Sequence, residues 1–406
     1  MNPGAQPPIP DYHGKNLAGV LPALADSLGV DIPAHPSVGR DGLGQVEAGA
    51  LVDPSARSGR EHRQLLGFPE AERVVVVLID GLGWQLLAER AGHAPFLRSL
   101  MDQGEAIAAG FPTTTVTSMT MFGAGKAPGA SKIAGYSLRS PTSKKLINLL
   151  AWKGEANPRA WQPHPTVFEK LVAADVPVLR TGAPHFATSG LTEVALRGGD
   201  FAGFSAFSQG VDITLQRLQN TPRGIVFLYW WEIDRIGHHE GWKSMEWADQ
   251  LTAVDRQMRR LVAGLPAGTL LALTADHGMV DVALGARRDV ASEPGLRQDV
   301  ELVGGEPRMS HLYCKPGSAK RVQERWRNEL GDSAWVMSRE EAISLGLFGV
   351  VEERTLDVLG DVIVAMRDES AVVDSRVMPP HSLKLIGLHG SATSAETQIP
   401  LLTHLA

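Results

Sequence analysis

Apolar runs and amphipathic stretches alternate along most of this chain. VVVVLI (74–79), IVFLYW (225–230) and LLAL (270–273) are apolar throughout. Apolar runs without polar alternation are typical of strands that are buried on both faces, as in a parallel sheet. Around them, WQLLAERAGHAPFLRSLM (84–101) and MEWADQLTAVDRQMRRLVAGL (245–265) have the periodicity of amphipathic helices. We therefore predict an α/β fold with a doubly wound, mostly parallel sheet that is flanked by helices.

The pattern changes near both ends of the chain and divides it into four parts. Residues 1–65 are rich in Pro, Gly and Ala around one helical stretch, NLAGVLPALADSLG, and we predict an N-terminal arm that wraps on the core. Residues 66–305 are predicted to form the first part of the catalytic core. Short strand and helix patterns predict a small inserted α+β subdomain at 306–358. The apolar run in LGDVIVAM then predicts a return to the core, whose last part is 359–406.

Composition and charge restrict the classes of partner and the compartment. The 406-residue chain has a formal net charge of -6, so no basic surface for groove binding to nucleic acid is expected. A single cysteine, Cys314, excludes an internal disulfide and predicts a reducing compartment. The start of the chain has no signal-peptide pattern, and its apolar runs are too short to span a bilayer. We expect a cytoplasmic protein without a membrane partner.

Three of the predicted buried strands are followed by an aspartate. Asp80 follows VVVVLI, Asp234 follows FLYWWEI, and Asp276 follows LLALTA. Ligands of open α/β sheets bind at the carboxyl ends of the strands, so these carboxylates are expected at one edge of the sheet. An aspartate at this position can equally cap a following helix, and for each one alone the two interpretations have about even weight.

Histidines near these aspartates favour a metal site. His238 lies four residues after Asp234, which places both side chains on one face if the segment is helical. His277 directly follows Asp276, and His389 stands before a glycine near the end of the chain. Aspartate and histidine together suit a borderline metal such as zinc. Three of each are enough ligands for two divalent ions, which we expect to be Zn²⁺.

The stretch GFPTTTVTSMTMFGAG, residues 110–125, carries an unusual density of hydroxyl groups. A threonine hydroxyl is a weak nucleophile by itself and becomes a good one beside a base or a metal ion. A two-metal site would supply that activation, because one ion activates the nucleophile and the other stabilises the leaving oxygen.

The motifs DGLG, FPTTT, EIDRIGHHEG, TADHGM and LHGS follow one another along the chain. In this order they resemble the alkaline phosphatase superfamily, and most closely its nucleotide pyrophosphatase/phosphodiesterase branch. Each motif alone is weak, and the five together are specific. The resemblance extends over most of the chain and implies an alkaline-phosphatase-like fold with an inserted subdomain.

The resemblance also implies roles for individual residues. It implies that one zinc ion is bound by Asp80, Thr115, Asp276 and His277, and the other by Asp234, His238 and His389. The motif of this branch resembles Thr-x-Thr-aromatic-Pro-Asn, and its alignment with PTTTVTS makes Thr115 the nucleophile. A shift by one residue would make Thr114 the nucleophile instead.

Two positions depart from that motif. Val116 stands where the aromatic residue is usual, and Ser118 stands where an asparagine usually binds a phosphoryl oxygen. Ser118 can still donate a hydrogen bond at shorter reach, so we predict that it binds substrate. Val116 cannot stack on a base, which weakens the expectation of nucleotide specificity. Among the aromatic residues near Asp234, Tyr229 is a further candidate for substrate binding.

The implied function is hydrolysis of phosphodiester or pyrophosphate bonds of a small-molecule or nucleotide-type substrate, through a covalent phospho-threonine. A phosphomonoesterase or phosphonate hydrolase of the same superfamily is the alternative. Monoester enzymes need additional positive charge, and no arginine near Thr115 stands out in the sequence, which favours diesters. An inactivated binding protein on the same fold is less favoured, because all seven expected ligand positions are filled.

Overall fold

The computed structural model of the protein describes residues 6–34, 53–152 and 157–406. Its strands are β1 Arg73–Ile79, β2 Glu105–Ala108, β3 Ser137–Arg139, β4 Leu146–Asn148, β5 Val178–Gly182, β6 Asp200–Gly203, β7 Gly224–Trp230, β8 Thr269–Thr274, β9 Val280–Asp281, β10 Arg287–Asp289, β11 Val300–Glu306, β12 Met309–Cys314, β13 Ala334–Ser338, β14 Val362–Met366, β15 Ala371–Val373, β16 Gly387–Leu388 and β17 Gln398–Leu405.

α-Helices occur in ten of the sixteen intervals between consecutive strands of the described chain, and two more precede β1. They are α1 Leu17–Ser27, α2 Gly59–Leu66, α3 Trp84–Glu89, α4 Pro95–Met101, α5 Thr115–Ala124, α6 Pro128–Ser131, α7 Pro158–Trp161, α8 Val167–Ala173, α9 Gly190–Ala195, α10 Phe207–Gln219, α11 Glu232–Glu240, α12 Met245–Ala263, α13 Pro294–Arg297, α14 Ala319–Leu330, α15 Arg339–Ser344, α16 Glu353–Leu356 and α17 Ser394–Thr397. Within the described ranges, no helix combines the length and the apolar composition needed to cross a membrane.

The main sheet has seven strands in the order β2-β17-β8-β1-β7-β5-β6. Strand β1 pairs in parallel with both β7 and β8, and β5 pairs in parallel with both β6 and β7. Strand β17 is antiparallel to its two neighbours. This confirms the predicted mostly parallel α/β sheet. The three strands that precede the candidate aspartates, β8, β1 and β7, are neighbours at its centre.

Burial of the central strands follows from their composition. Every residue of β7 and β8 is buried, as is every residue of β1 after Arg73, because helices cover both faces of the sheet. Helix α12 contributes a buried stripe at the three- and four-residue spacing of an amphipathic helix, which includes Trp247, Leu251, Val254 and Met258.

A second, four-stranded sheet has the order β11-β12-β14-β13 and is antiparallel throughout. It includes β14, which contains the apolar run of LGDVIVAM. The sequence pattern predicts this strand in the main core, and that prediction is wrong. The reason is that β14 lies inside this sheet with both faces covered. Val362, Val364 and Met366 pack in one hydrophobic cluster, while Ile363 and Ala365 pack in another. A strand buried in this way has the same continuous apolar pattern as a parallel core strand.

The described part of the predicted N-terminal arm packs on the main domain. Helix α1 lies within the predicted helical stretch, and all of its residues are buried. The side chain of Asn16 caps the helix by accepting a hydrogen bond from the backbone of Ala18. At the far end of α5, Gly125 lies against Pro22 of α1. The arm therefore supports the helix that follows the hydroxyl-rich loop.

Candidate metal centre and active site

The central strands of the main sheet bring three aspartates to one edge. Asp80 directly follows β1, Asp276 lies two residues after β8, and Asp234 lies in the first turn of α11 after β7. Because β8, β1 and β7 are parallel neighbours, their carboxyl ends lie side by side. The close approach requires a glycine, since a Cβ on Gly81 would lie 2.9 Å from the Cβ of Asp234.

The aspartates and histidines form two groups that can each hold a metal ion. Asp80, Asp276 and His277 form a buried group, and Asp234, His238 and His389 form a partly exposed one. Within each group the candidate ligand atoms lie within 4.8 Å of one another. The groups are adjacent, since the rings of His277 and His389 stack with their centroids 3.7 Å apart. Solvent therefore reaches the centre from the side of the second group.

Backbone carbonyls orient all three imidazoles in the same way. Each ring donates its Nδ1–H to a backbone carbonyl oxygen. His238 donates to Gly387 at 2.7 Å, His277 donates to Gly278 at 3.0 Å, and His389 donates to Thr113 at 2.8 Å. This arrangement leaves each Nε2 with a free lone pair. Metal-binding histidines are typically held by such a bond at the second ring nitrogen.

The spacing of the ligand atoms fits divalent ions. Ligands at 2.0–2.1 Å from a tetrahedral zinc ion lie about 3.3 Å from each other. In the partly exposed group, His238 Nε2 lies 3.3 Å from Asp234 Oδ2 and 3.3 Å from His389 Nε2. In the buried group, His277 Nε2 lies 3.4 Å from Asp276 Oδ2 and 3.6 Å from Asp80 Oδ1.

The three aspartates also leave buried oxygens without partners. Asp80 Oδ1, Asp234 Oδ1 and Asp276 Oδ2 are buried and accept no hydrogen bond within the described part of the chain. Buried carboxylate oxygens require a partner, and oxygen atoms that face neutral imidazole nitrogens suit a cation. The donor set therefore fits divalent metal.

The electrostatics of the centre point the same way. Burial, together with the charges of Asp276 and Asp234, raises the pKa of Asp80 well above its usual value. Burial opposes ionisation of Asp234 as well, but the charge and the hydrogen bond of His238, with the charges of His389 and His277, lower the pKa of Asp234. In the metal-free protein burial opposes the protonation of His238, but Asp234 in turn raises the pKa of that imidazole. Burial, reinforced by the charge of His277, lowers the pKa of His389. A bound cation would favour the ionised carboxylates and the neutral imidazoles that ligation needs.

The hydroxyl-rich loop ends at this centre. Thr115 is the first residue of α5, and its Oγ1 lies 3.2 Å from His277 Nε2. Since Nδ1 of His277 carries the proton, Nε2 accepts this hydrogen bond from the threonine hydroxyl. Thr114 occupies the N-cap position and makes no side-chain cap. The hydroxyl of Thr113 donates to Ser391 O and accepts from Gly390 N, so it has a structural role.

The two predicted substrate contacts occupy different places. Ser118 lies one turn into α5, and its buried hydroxyl has no hydrogen-bond partner within the described residues. Tyr229 donates a hydrogen bond from its hydroxyl to Asp80 Oδ2, a role that its sequence position does not indicate. Its ring contacts Phe186, with centroids 5.7 Å apart, and Phe186 in turn contacts Trp231 at 5.6 Å. The exposed His239 lies outside both metal groups.

Comparison with protein families and curated proteins adds to this geometry. The family model described as type I phosphodiesterase / nucleotide pyrophosphatase matches residues 74–392. A phosphopentomutase of Anaeromyxobacter dehalogenans (strain 2CP-C) is 35% identical over 118 residues, which are 29% of this chain and 28% of that protein. The chain thus spans less than a third of the length of the curated relatives it matches.

Solved structures share the fold at low sequence identity. Murine ectonucleotide pyrophosphatase / phosphodiesterase 5 superposes with a TM-score of 0.65 at 17% identity, over 82% of this chain and 87% of that one. Phosphonoacetate hydrolase from Sinorhizobium meliloti 1021, in complex with phosphonoformate, has a TM-score of 0.65 at 17% identity, over 89% and 94% of the two chains. These similarities extend the shared fold well beyond the motifs.

Proposed function

Because the chain belongs to the type I phosphodiesterase / nucleotide pyrophosphatase family, we propose that it is a two-metal hydrolase of phosphodiester or pyrophosphate bonds. Thr115 is the proposed nucleophile, and the reaction passes through a phospho-threonine. Asp80, Thr115, Asp276 and His277 are the proposed ligands of one ion. The proposed ligands of the second ion are Asp234, His238 and His389. Zinc is the proposed metal at both sites.

One observation carries this proposal. The two ligand groups are adjacent, and the hydroxyl of Thr115 lies between the buried group and the start of a helix. A divalent ion in each group would lower the pKa of a bound hydroxyl and stabilise negative charge on phosphoryl oxygens. The centre thus combines an activated nucleophile with neighbouring sites for charge that develops during phosphoryl transfer.

The protein's own groups orient the reacting atoms. Thr114 makes no side-chain cap, so the first backbone N–H groups of α5 stay available beside Thr115 at the positive end of the helix dipole. These groups can bind a non-bridging phosphoryl oxygen. The buried hydroxyl of Ser118, one turn further along, is a second proposed donor. The hydrogen bond from Tyr229 holds the carboxylate of Asp80 in place, and its ring contributes to an aromatic surface for the substituent of the phosphoryl group.

The charges around the centre favour diesters over monoesters. The ion pairs of Asp80, Asp234 and Asp276 within the described residues are all with histidines, and none is with lysine or arginine. A phosphomonoester carries one more negative charge than a diester and needs an additional cationic donor. The centre is therefore better matched to the singly charged group.

Steady-state hydrolysis tests the proposal. Zinc-loaded protein is assayed with bis(p-nitrophenyl) phosphate, with p-nitrophenyl phosphate, and with phosphonoacetate, each with and without EDTA. We expect turnover of the diester that exceeds turnover of the monoester and that EDTA abolishes. Preference for the monoester or for phosphonoacetate would replace the proposal with the corresponding member of the superfamily. Absence of turnover with zinc bound would contradict it.

A further inference from the structure

A fully buried ion pair connects the smaller sheet with the end of the main domain. Arg308 lies in the turn between β11 and β12, and Glu396 lies in α17. Arg308 Nε and Nη2 donate to the two carboxylate oxygens of Glu396 at 2.9 and 2.7 Å. Both side chains have 0% exposure. The remaining guanidinium nitrogen, Nη1, donates to the carbonyls of Asp368 and Ser370 at 2.6 and 2.7 Å.

Glu396 is bonded to residues next to a metal ligand in each group. Its carboxylate accepts a hydrogen bond from the backbone N–H of Ser391 at 2.9 Å, two residues after His389. Its backbone carbonyl accepts one from Gly278 at 2.9 Å, directly after His277. One residue therefore contacts the chain beside both ligand groups.

The same network continues to the nucleophile loop. The carbonyl of Ser391 accepts a hydrogen bond from Thr113 Oγ1 at 2.8 Å, and Gly390 N donates to that hydroxyl at 3.0 Å. The carbonyl of Thr113 accepts the Nδ1–H of His389. Thr113 is two residues before Thr115. Hydrogen bonds thus run from Arg308 through Glu396 to His389 and the start of α5.

We propose that Arg308 and Glu396 are a positioning pair that sets the relative placement of His277, His389 and Thr115. The proposal rests on the proposed function of the metal centre. Replacement of a buried ion pair by apolar side chains is often neutral or stabilising, so stability alone does not account for the pair. Its bidentate geometry specifies distance and direction, which a lysine cannot reproduce with a single ammonium group.

Two variants separate positioning from folding. Arg308→Lys keeps the charge and removes the planar fork. The double variant Arg308→Met/Glu396→Leu removes both charges and leaves neither one buried alone. Arg339→Lys is the control, because Arg339 of α15 forms a partly exposed ion pair with Asp361, which directly precedes β14. Zinc affinity is measured by titration calorimetry on metal-free protein, and kcat and KM with bis(p-nitrophenyl) phosphate.

We expect both test variants to lose at least about tenfold in the affinity of the weaker zinc site and at least about tenfold in kcat, with KM changed less. The control should change each quantity less than twofold. Test variants that fold and bind zinc with unchanged affinity would overturn the proposal, even if their melting temperature falls.

A readout without metal or substrate keeps this test separate from that of the proposed function. Hydrogen exchange of the backbone at 387–397 and 111–118 is compared among the metal-free variants. Faster exchange in these segments in Arg308→Lys, and not in the control, supports positioning even if the wild-type protein hydrolyses none of the test substrates. Unchanged exchange would contradict it.

Discussion

Acidification from pH 7 to 4 should destabilise the protein through one histidine of the smaller sheet. His311 in β12 has 0% exposure, and both of its ring nitrogens are engaged. Nε2 donates to the carbonyl of Ala134 at 2.7 Å, and Nδ1 accepts from the backbone N–H of Gly360 at 3.1 Å. Protonation of Nδ1 would place one donor against another and would put a positive charge on a side chain that is fully buried.

The magnitude follows from the pKa of this histidine. Burial lowers the pKa of His311 from 6.5 to about 4, although the bond to Ala134 opposes the change. The unfolded chain therefore takes up a proton near pH 6.5, while the folded chain does not do so until about pH 4. Stability is fully present above pH 6.5 and falls as the pH decreases through this window. At 1.36 kcal/mol per pKa unit, the loss is about 3 kcal/mol of unfolding free energy.

The variant His311→Gln isolates this contribution. Glutamine has an amide NH₂ group that donates and a carbonyl oxygen that accepts, and it does not titrate. Urea unfolding is followed by tryptophan fluorescence at half-unit steps between pH 4 and 7, with EDTA present so that loss of metal affects neither protein. We expect wild type to lose about 3 kcal/mol more than the variant over this range. Parallel curves for the two proteins would refute the argument.

Four further predictions test the centre and its surroundings. Thr115→Ala should reduce kcat at least about 1,000-fold, as expected for loss of a nucleophile, while Thr114→Ala costs less; the reverse order would identify Thr114 as the nucleophile. His389→Ala should lose one zinc ion, by metal analysis, together with activity, and activity that survives would contradict the two-metal assignment. Tyr229→Phe should lower kcat about tenfold without loss of fold, because the carboxylate of Asp80, a proposed metal ligand, loses its hydrogen bond. Burial raises the pKa of Glu306 from 4.5 to about 8, so the free energy of unfolding falls as pH rises through this range. Glu306→Gln should therefore raise the melting temperature more at pH 9 than at pH 5.

The sequence could predict that most of the side chains of the centre lie together, because their positions follow local rules. Asp80 and Asp276 each follow an apolar run, and parallel strands place such positions side by side. Asp234 and His238 lie four residues apart on α11, so they share a face of that helix. The role of His389 could be predicted only from the resemblance to a known family, because its neighbours in the chain give no periodic signal.

Roles that depend on a hydrogen-bond partner far away in the chain could not be predicted from local sequence patterns. Tyr229 is one residue of an aromatic strand, and nothing in its neighbours indicates that its hydroxyl faces Asp80 across β1 and β7. Nothing in the sequence around Arg308 and Glu396 indicates that either side chain is buried. Their burial and their pairing arise from contacts between segments that are 88 residues apart.

Residues outside the range that matches the family hold the loop before the proposed nucleophile in place. The hydroxyl of Tyr12 accepts a hydrogen bond from the backbone N–H of Phe111 at 3.1 Å and donates one to the carbonyl of Leu347 at 2.9 Å. Buried backbone groups require such partners, so this loop, four residues before Thr115, depends on a side chain of the N-terminal arm. Tyr12 and Glu396 both lie outside residues 74–392, the matched range, yet each is bonded to a loop of the centre. The arm and helix α17 are therefore parts of the scaffold around the proposed nucleophile.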